Sequence, residues 1–148
     1  DANAWYLHAF ALGRYSQSIS VVKALAQGLG GKIKHSLTQA LALQPAHADA
    51  HIALGAYHAE VIDKVGALVG GITYGVKKDV GKDLLETALK LNPESAITRI
   101  EYANALLLMF GKAKMKDAER LYQEAAACVP LDAMERLDVE AAKAELAD

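Results

Sequence analysis

Apolar residues recur at spacings of three and four along most of the chain, which is the period of a helix with one buried face. Trp5, His8, Leu12, Tyr15 and Ile19 follow this period and, with the residues after them, predict a helix over residues 4–26. The same period continues between glycine and proline breaks. It predicts six further helices, over residues 32–43, 46–70, 80–91, 95–110, 117–128 and 132–146. The predicted fold class is therefore all-α.

A short pattern occurs three times and uses all three prolines of the chain. A small or apolar residue is followed at fixed spacing by Leu or Tyr, then Ala, then Pro. The copies are Ile33, Leu37, Ala40, Pro45; Gly81, Leu85, Ala88, Pro93; and Ala118, Tyr122, Ala125, Pro130. Repetition of this kind indicates an array of helical hairpins that bury their apolar faces against their neighbours. We expect the Leu or Tyr of each copy to pack in the core against the Ala.

Glycines set the predicted ends of several helices. Gly28, Gly30 and Gly31 are expected to end the first helix, and the pair Gly70 and Gly71 to end the third. Residues 72–78 are then an ordered loop. In the last helix we expect an inward face of four apolar residues, namely Met134, Leu137, Ala141 and Ala144.

These residues resemble the tetratricopeptide repeat superfamily. The third hairpin is the most similar, with the aromatic Tyr102 followed by Ala118, Tyr122, Ala125 and Pro130. Leu12-Gly13 and Leu54-Gly55 resemble the family's first-helix signature. The first two hairpins are longer than the family's usual unit, as in the regulator of microtubule dynamics type repeat domain or the repeat lipoproteins associated with TRAP transporters.

The resemblance implies one α-solenoid domain over residues 1–148. Three helical hairpins would form repeats at about residues 4–45, 46–93 and 94–130, followed by a capping helix at about 131–147. Proteins of this superfamily bind partners in a groove lined by the first helix of each hairpin. That groove would here be lined by Ile52, Ala56, Ile100, Ala103, Asn104 and Leu107.

The composition of the chain limits the classes of partner that we expect. The 148 residues are 53% hydrophobic, enough for one domain with a core. The formal net charge of -2 argues against binding to nucleic acid or to an anionic membrane surface. No apolar run approaches the roughly 20 residues that span a bilayer, so a soluble protein that does not span the membrane is expected. The chain begins without methionine, which is compatible with removal of an upstream signal, so both a cytoplasmic and a bacterial periplasmic location stay open.

Candidate chemistry is sparse. His47 and His51 lie four residues apart, a spacing at which two imidazoles can share a zinc ion. However, His51 falls where the repeat places a first-helix aromatic and His47 is expected at an exposed helix start, so no metal site is predicted. No nucleophile stands in a recognisable arrangement with a base. We expect neither an enzyme nor a cofactor.

The leading function is therefore a non-enzymatic scaffold that binds a protein or peptide in an apolar groove. The carboxylate-clamp members of the superfamily that this chain resembles hold a peptide's terminal carboxylate with Lys and Asn side chains in the groove, and of such a set only Asn104 is present here. The alternative is a cell-envelope carrier or transporter accessory that binds a small hydrophobic molecule. It also stays open whether a helix of the chain fills the groove.

A second apolar surface is expected near the end of the second hairpin. Its members are Val65, Leu68, Val69, Ile72, Tyr74 and Val76. Such a patch either packs under the first hairpin or forms an interface with a partner or a second copy of the chain. A homo-oligomer is compatible with the second alternative.

Overall fold

A computed structural model describes residues 1–130 and 132–147, including all of their side chains except those of residues 21 and 22. Residue 131, where the capping unit was expected to begin, and residue 148 lie outside this description. The described residues form helices and no strands, which confirms the all-α prediction. The helices are α1 (Ala2–Gln17), α2 (Val21–Ala26), α3 (Leu29–Leu43), α4 (Ala48–Tyr74), α5 (Lys78–Leu91), α6 (Ala96–Phe110), α7 (Met115–Ala126) and α8 (Ala133–Ala147), with a 3₁₀ turn at Gly111–Lys114.

The prediction of one continuous helix over residues 4–26 is wrong, because α1 and α2 are separate helices. Ser20 has an extended backbone, and its hydroxyl accepts a hydrogen bond from the Lys23 amide at 3.1 Å. A serine that caps the following turn competes with the helix running through it. Gly28 then adopts a left-handed conformation with φ 73° and separates α2 from α3. Gly30 and Gly31, expected to break the helix, lie within α3.

The expected loop over residues 72–78 is shorter than predicted, because α4 continues to Tyr74 and α5 begins at Lys78. Gly70 does not end α4. The Val76 amide donates to the Gly70 carbonyl at 3.1 Å, and a Cβ on Gly70 would lie only 2.8 Å from Val76 Cγ2. Gly70 is thus the place where the returning chain makes a close approach to the helix.

One glycine interrupts α4 from within. Gly66 has φ 84° and ψ 164°, a conformation that is almost restricted to glycine. The 27-residue helix is therefore two helical segments joined at Gly66. The apolar period of the sequence runs through this position without a break, so the interruption was not predicted.

The helices pack as three hairpins, α1 with α3, α4 with α5, and α6 with α7. The second helix of each hairpin also packs on the first helix of the next, and α8 packs on α7 and α6. One continuous buried cluster extends from Ala9 to Ala142. The repeated pattern lies in this interior, because its three large residues and three alanines are all buried: Leu37, Leu85, Tyr122, Ala40, Ala88 and Ala125.

The predicted inward face of α8 is wrong. Met134 and Leu137 are 68% and 64% exposed, and Ala141 and Ala144 are exposed as well. Val139 and Ala142 are buried instead. The buried face is rotated by one residue, about 100° around the helix. Smaller side chains on this face let α8 approach α7 and α6 closely, and that packing outweighs the more apolar stripe beside it.

Candidate functional site: a cleft between the first helices of the hairpins

A cleft opens where α1 separates from α4. The two helices meet at one end, where the His47 ring lies 5.1 Å from the Tyr6 ring and its Nε2 is 2.9 Å from Asn3 Oδ1. Beyond this end, α1 packs on α3 and has few contacts with α4. The gap has a volume of about 380 Å³. Its walls include Tyr6, Phe10, Gly13, Arg14 and Gln17 of α1, Ile33 and Leu37 of α3, Asp49, Ile52, Ala56, Tyr57 and Glu60 of α4, and Ile97 and Glu101 of α6.

Two further cavities adjoin the cleft. A groove of about 450 Å³ lies between α4 and α6, and its walls are Ala56, Ala59, Glu60, Glu101, Asn104, Ala105, Leu107 and Leu108. A third space of about 440 Å³ lies behind the cleft, where α2 and α3 face α4. Its apolar walls include Ile19, Ala24, Leu25, Ile33, Tyr57, Val61 and Leu108. The carboxylate side chain of Glu60 borders all three spaces.

Four of the six predicted groove residues line these spaces. Ile52 and Ala56 border the cleft, while Asn104 and Leu107 border the groove between α4 and α6. Asn104 Oδ1 accepts a hydrogen bond from the Tyr122 hydroxyl.

The other two predicted groove residues lie in the packing beneath this surface. Ile100 is half-buried against the core, and Ala103 is completely buried. Ala103 therefore has no exposed surface to offer a partner, which corrects the prediction at that position.

The acidic side of the cleft was not predicted from the sequence. Glu60 follows Ile52 and Ala56 at successive spacings of four on α4, and Glu101 follows Ile97 at the same spacing on α6. Extending the predicted apolar faces by one helical turn would have found both carboxylates. That they come together depends on how α4 packs on α6, which no pattern within one helix reveals.

The carboxylate-bearing side chains of Glu60 and Glu101 border the same groove, where the charge of Glu60 acts on Glu101. Burial raises the pKa of Glu60; nearby Lys64 lowers that pKa, and Asp63 raises it. Burial is also the main cause of the raised pKa of Glu101, with further increases from the charges of Glu60 and Asp138. Within the described part of the chain, neither carboxylate has an ion-pair partner within 4.0 Å.

A buried hydroxyl stands at the inner wall of the cleft. Tyr57 is only 8% exposed and lines both the cleft and the cavity behind it. Its hydroxyl has no hydrogen-bond partner among the described residues. Such an unpaired group is costly in a protein interior, since the group loses its water without gaining a partner. Burial also raises the pKa of Tyr57, so its hydroxyl carries a proton that it can donate.

The two histidines considered for zinc hold the start of α4 in place. His47 is buried, against the expectation that it is exposed, and its Nδ1 accepts from the Ala50 amide at 3.1 Å while its Nε2 faces Asn3. His51 Nε2 donates to the Pro45 carbonyl at 2.7 Å. No group of three or more His, Cys, Asp or Glu side chains is placed to hold a metal ion in residues 1–130 and 132–147.

The second apolar surface is partly exposed and partly buried. Leu68, Val69 and Ile72 are exposed, with Ile72 at 79%. Val65 and Tyr74 are half-buried. The first hairpin reaches this region through the Lys34 ammonium, which donates to the carbonyls of residues 74 and 75 at 3.3 and 3.1 Å. It leaves Leu68 and Ile72 uncovered.

Val76, the last predicted member of this surface, belongs to the core. It is 1% exposed and packs against Gly70. The prediction of Val76 as an interface residue is therefore wrong. The reason is the turn after α4, which folds its side chain back onto the helix.

None of the described helices is both long enough and apolar enough to cross a membrane. A scan against protein-family models finds no match to this sequence, and a search of curated proteins finds none either.

Proposed function

We propose that this protein is a non-enzymatic binding module that holds a segment of another protein in the cleft between α1, α4 and α6. The observation that carries the proposal is the open cleft itself. It has an apolar floor that includes Ile52 and Ala56, and it continues into the groove beside Leu107. Elongated, largely apolar depressions with a few polar groups are typical of sites that bind peptides.

The order of helix contacts supports a tetratricopeptide-like solenoid as the framework. Each hairpin packs on the next, and α8 covers the exposed side of α6 and α7. In such an array the first helices of the hairpins line one continuous surface, and rigid helices present it to a partner. The divergence of α1 from α4 widens that surface at the first hairpin.

A small hydrophobic molecule is the second candidate occupant, and one observation favours it. The cavity behind the cleft has mostly apolar walls and contains the ring of Tyr57, whose hydroxyl is unpaired. Its volume of about 440 Å³ is within the range of small-molecule sites. A ligand with one polar group would pair with that hydroxyl.

Filling the cleft tests the peptide proposal. Ala56 borders both the cleft and the groove, so Ala56→Trp is expected to place an indole where a bound segment would lie. Peptides selected from a random 12-residue display library on the unaltered protein should bind this variant at least about tenfold more weakly. Ala42→Trp is the matched control, because Ala42 is exposed on α3 and away from the cleft walls. Affinities are measured by fluorescence anisotropy.

Either of two results would contradict the proposal. Either the library yields no enriched peptides, or Ala56→Trp and Ala42→Trp bind the enriched peptides equally well. Circular dichroism of each variant establishes that both are folded. Retention of an apolar compound by the purified protein, with no peptide binding, would favour the carrier instead.

A further inference from the structure

We infer that the segment bound in the cleft carries a lysine or arginine whose cationic group lies between Glu60 and Glu101. The inference rests on the proposed function and specifies the chemistry of the partner. An apolar cleft alone would bind any hydrophobic segment. The placement of two carboxylates in its wall, on different helices, selects among such segments.

The walls of the cleft carry more acidic than basic side chains. Asp49, Glu60 and Glu101 contribute three carboxylates, and Arg14 is the one basic side chain among the cleft's described wall residues. Asp138 on α8 adds a further negative charge near Glu101. Charges of one sign that line a concave surface give a stronger potential there than the same charges would give on an open, convex surface. A basic residue complements this potential, while an acidic one is repelled.

Among the residues that the structure describes, neither the Glu60 nor the Glu101 carboxylate is held in an ion pair, although the charge of Lys64 acts on Glu60 from a longer distance. Several acidic residues elsewhere, on α5 and α7, form ion pairs; Glu124, for example, pairs with Arg99 at 3.3 Å and with Arg120 at 3.0 Å. Glu60 on α4 and Glu101 on α6 instead border the same groove, and neither has a cation within 4.0 Å in the described structure. Two like charges in a partly desolvated site are relieved by a cation placed between them.

A tyrosine with an unpaired hydroxyl also borders the cleft. Tyr57, more than nine-tenths buried in the wall of the same cleft, has a hydroxyl without a hydrogen-bond partner. Its ring borders the cleft and its hydroxyl lies beside Gly30 in the wall of the cavity behind, so a side chain of the bound segment that enters this cavity would supply the acceptor that the hydroxyl lacks. The cleft thus offers three features to one segment, namely an apolar floor, a pair of carboxylates and a free donor.

The probes are two synthetic peptides that differ only in charge. One is a 14-residue helical peptide of leucine and lysine, and the other has glutamine in place of every lysine. Both are titrated against the unaltered protein and against a variant carrying Glu60→Gln and Glu101→Gln. The matched control carries Glu94→Gln and Glu119→Gln, which remove the same net charge from exposed positions outside the cleft walls.

We expect the lysine peptide to bind the unaltered protein about tenfold more tightly than the glutamine peptide. Glu60→Gln with Glu101→Gln should abolish this preference, while Glu94→Gln with Glu119→Gln should leave it nearly unchanged. Equal affinity of the two peptides, or an equal loss in both double variants, would overturn the inference and leave the cleft as a binding site for apolar segments. Failure of the lysine peptide to bind at all would also overturn it, while selection from the random library judges the proposed function separately.

Discussion

Replacing Leu85 by alanine is expected to lower the free energy of unfolding by about 3 kcal/mol. Leu85 is completely buried in the middle of α5, and it packs against Gly55 of α4. The truncation removes apolar contacts and leaves a cavity that two rigid, closely packed helices cannot close. Urea denaturation followed by circular dichroism measures the effect, with the denaturant dependence compared between the variant and the unaltered protein.

Leu91→Ala provides the matched control on the same helix. Leu91 is 40% exposed at the end of α5, so its loss should cost less than about 1 kcal/mol. If Leu85→Ala costs no more than Leu91→Ala, the packing of α5 on α4 described above would be wrong.

The second large effect is expected from a matched pair of glycine substitutions. Gly13 and Gly55 both follow a leucine within a helix, and alanine at either position gains up to about 1 kcal/mol from helix propensity. A Cβ on Gly55 would lie 2.7 Å from Leu85 Cγ and 3.1 Å from the Gly81 carbonyl oxygen, whereas a Cβ on Gly13 meets nothing within 4 Å. Gly13→Ala should therefore stabilise the protein, and Gly55→Ala should destabilise it through overpacking.

The difference in unfolding free energy between these two variants is expected to be about 2 to 3 kcal/mol, measured by thermal and urea denaturation. Combining Gly55→Ala with Leu85→Ala gives a further check, since the added methyl group would occupy part of the space left by the leucine. The double variant should lose less stability than the sum of the single losses. Equal effects of alanine at Gly13 and Gly55 would contradict the close approach of α4 and α5.

These two glycines also show which features of the fold can be predicted from the sequence and which cannot. Leu12-Gly13 and Leu54-Gly55 are the same dipeptide in the same predicted context, yet only Gly55 lies at a close helix contact. The helical period and the repeated Leu, Ala and Pro positions depend on local preferences, and these predicted the helices and the buried residues Leu37, Leu85 and Tyr122. Which glycine another helix approaches depends on packing between elements distant in the chain.

The remaining differences have the same origin. The sequence contained two adjacent stripes on α8, and only the packing against α6 and α7 decided that Val139 and Ala142 face inward. Ser20 had to be recognised as a cap within an unbroken apolar period. Predicting that Glu60 and Glu101 border the same groove would have required knowledge of how α4 and α6 are placed relative to each other. Half of the candidate site was therefore predictable as an apolar groove, and its acidic half was not.

The most direct test of the cleft as the binding surface is hydrogen–deuterium exchange with and without the tightest peptide from the random library. Bound peptide shields the surface it covers and stabilises the helices it contacts, so their amides exchange more slowly. We expect slower exchange in the parts of α1, α4 and α6 that border the cleft. Slower exchange confined to the exposed surface around Leu68 and Ile72, or to α8, with the cleft unchanged, would contradict it.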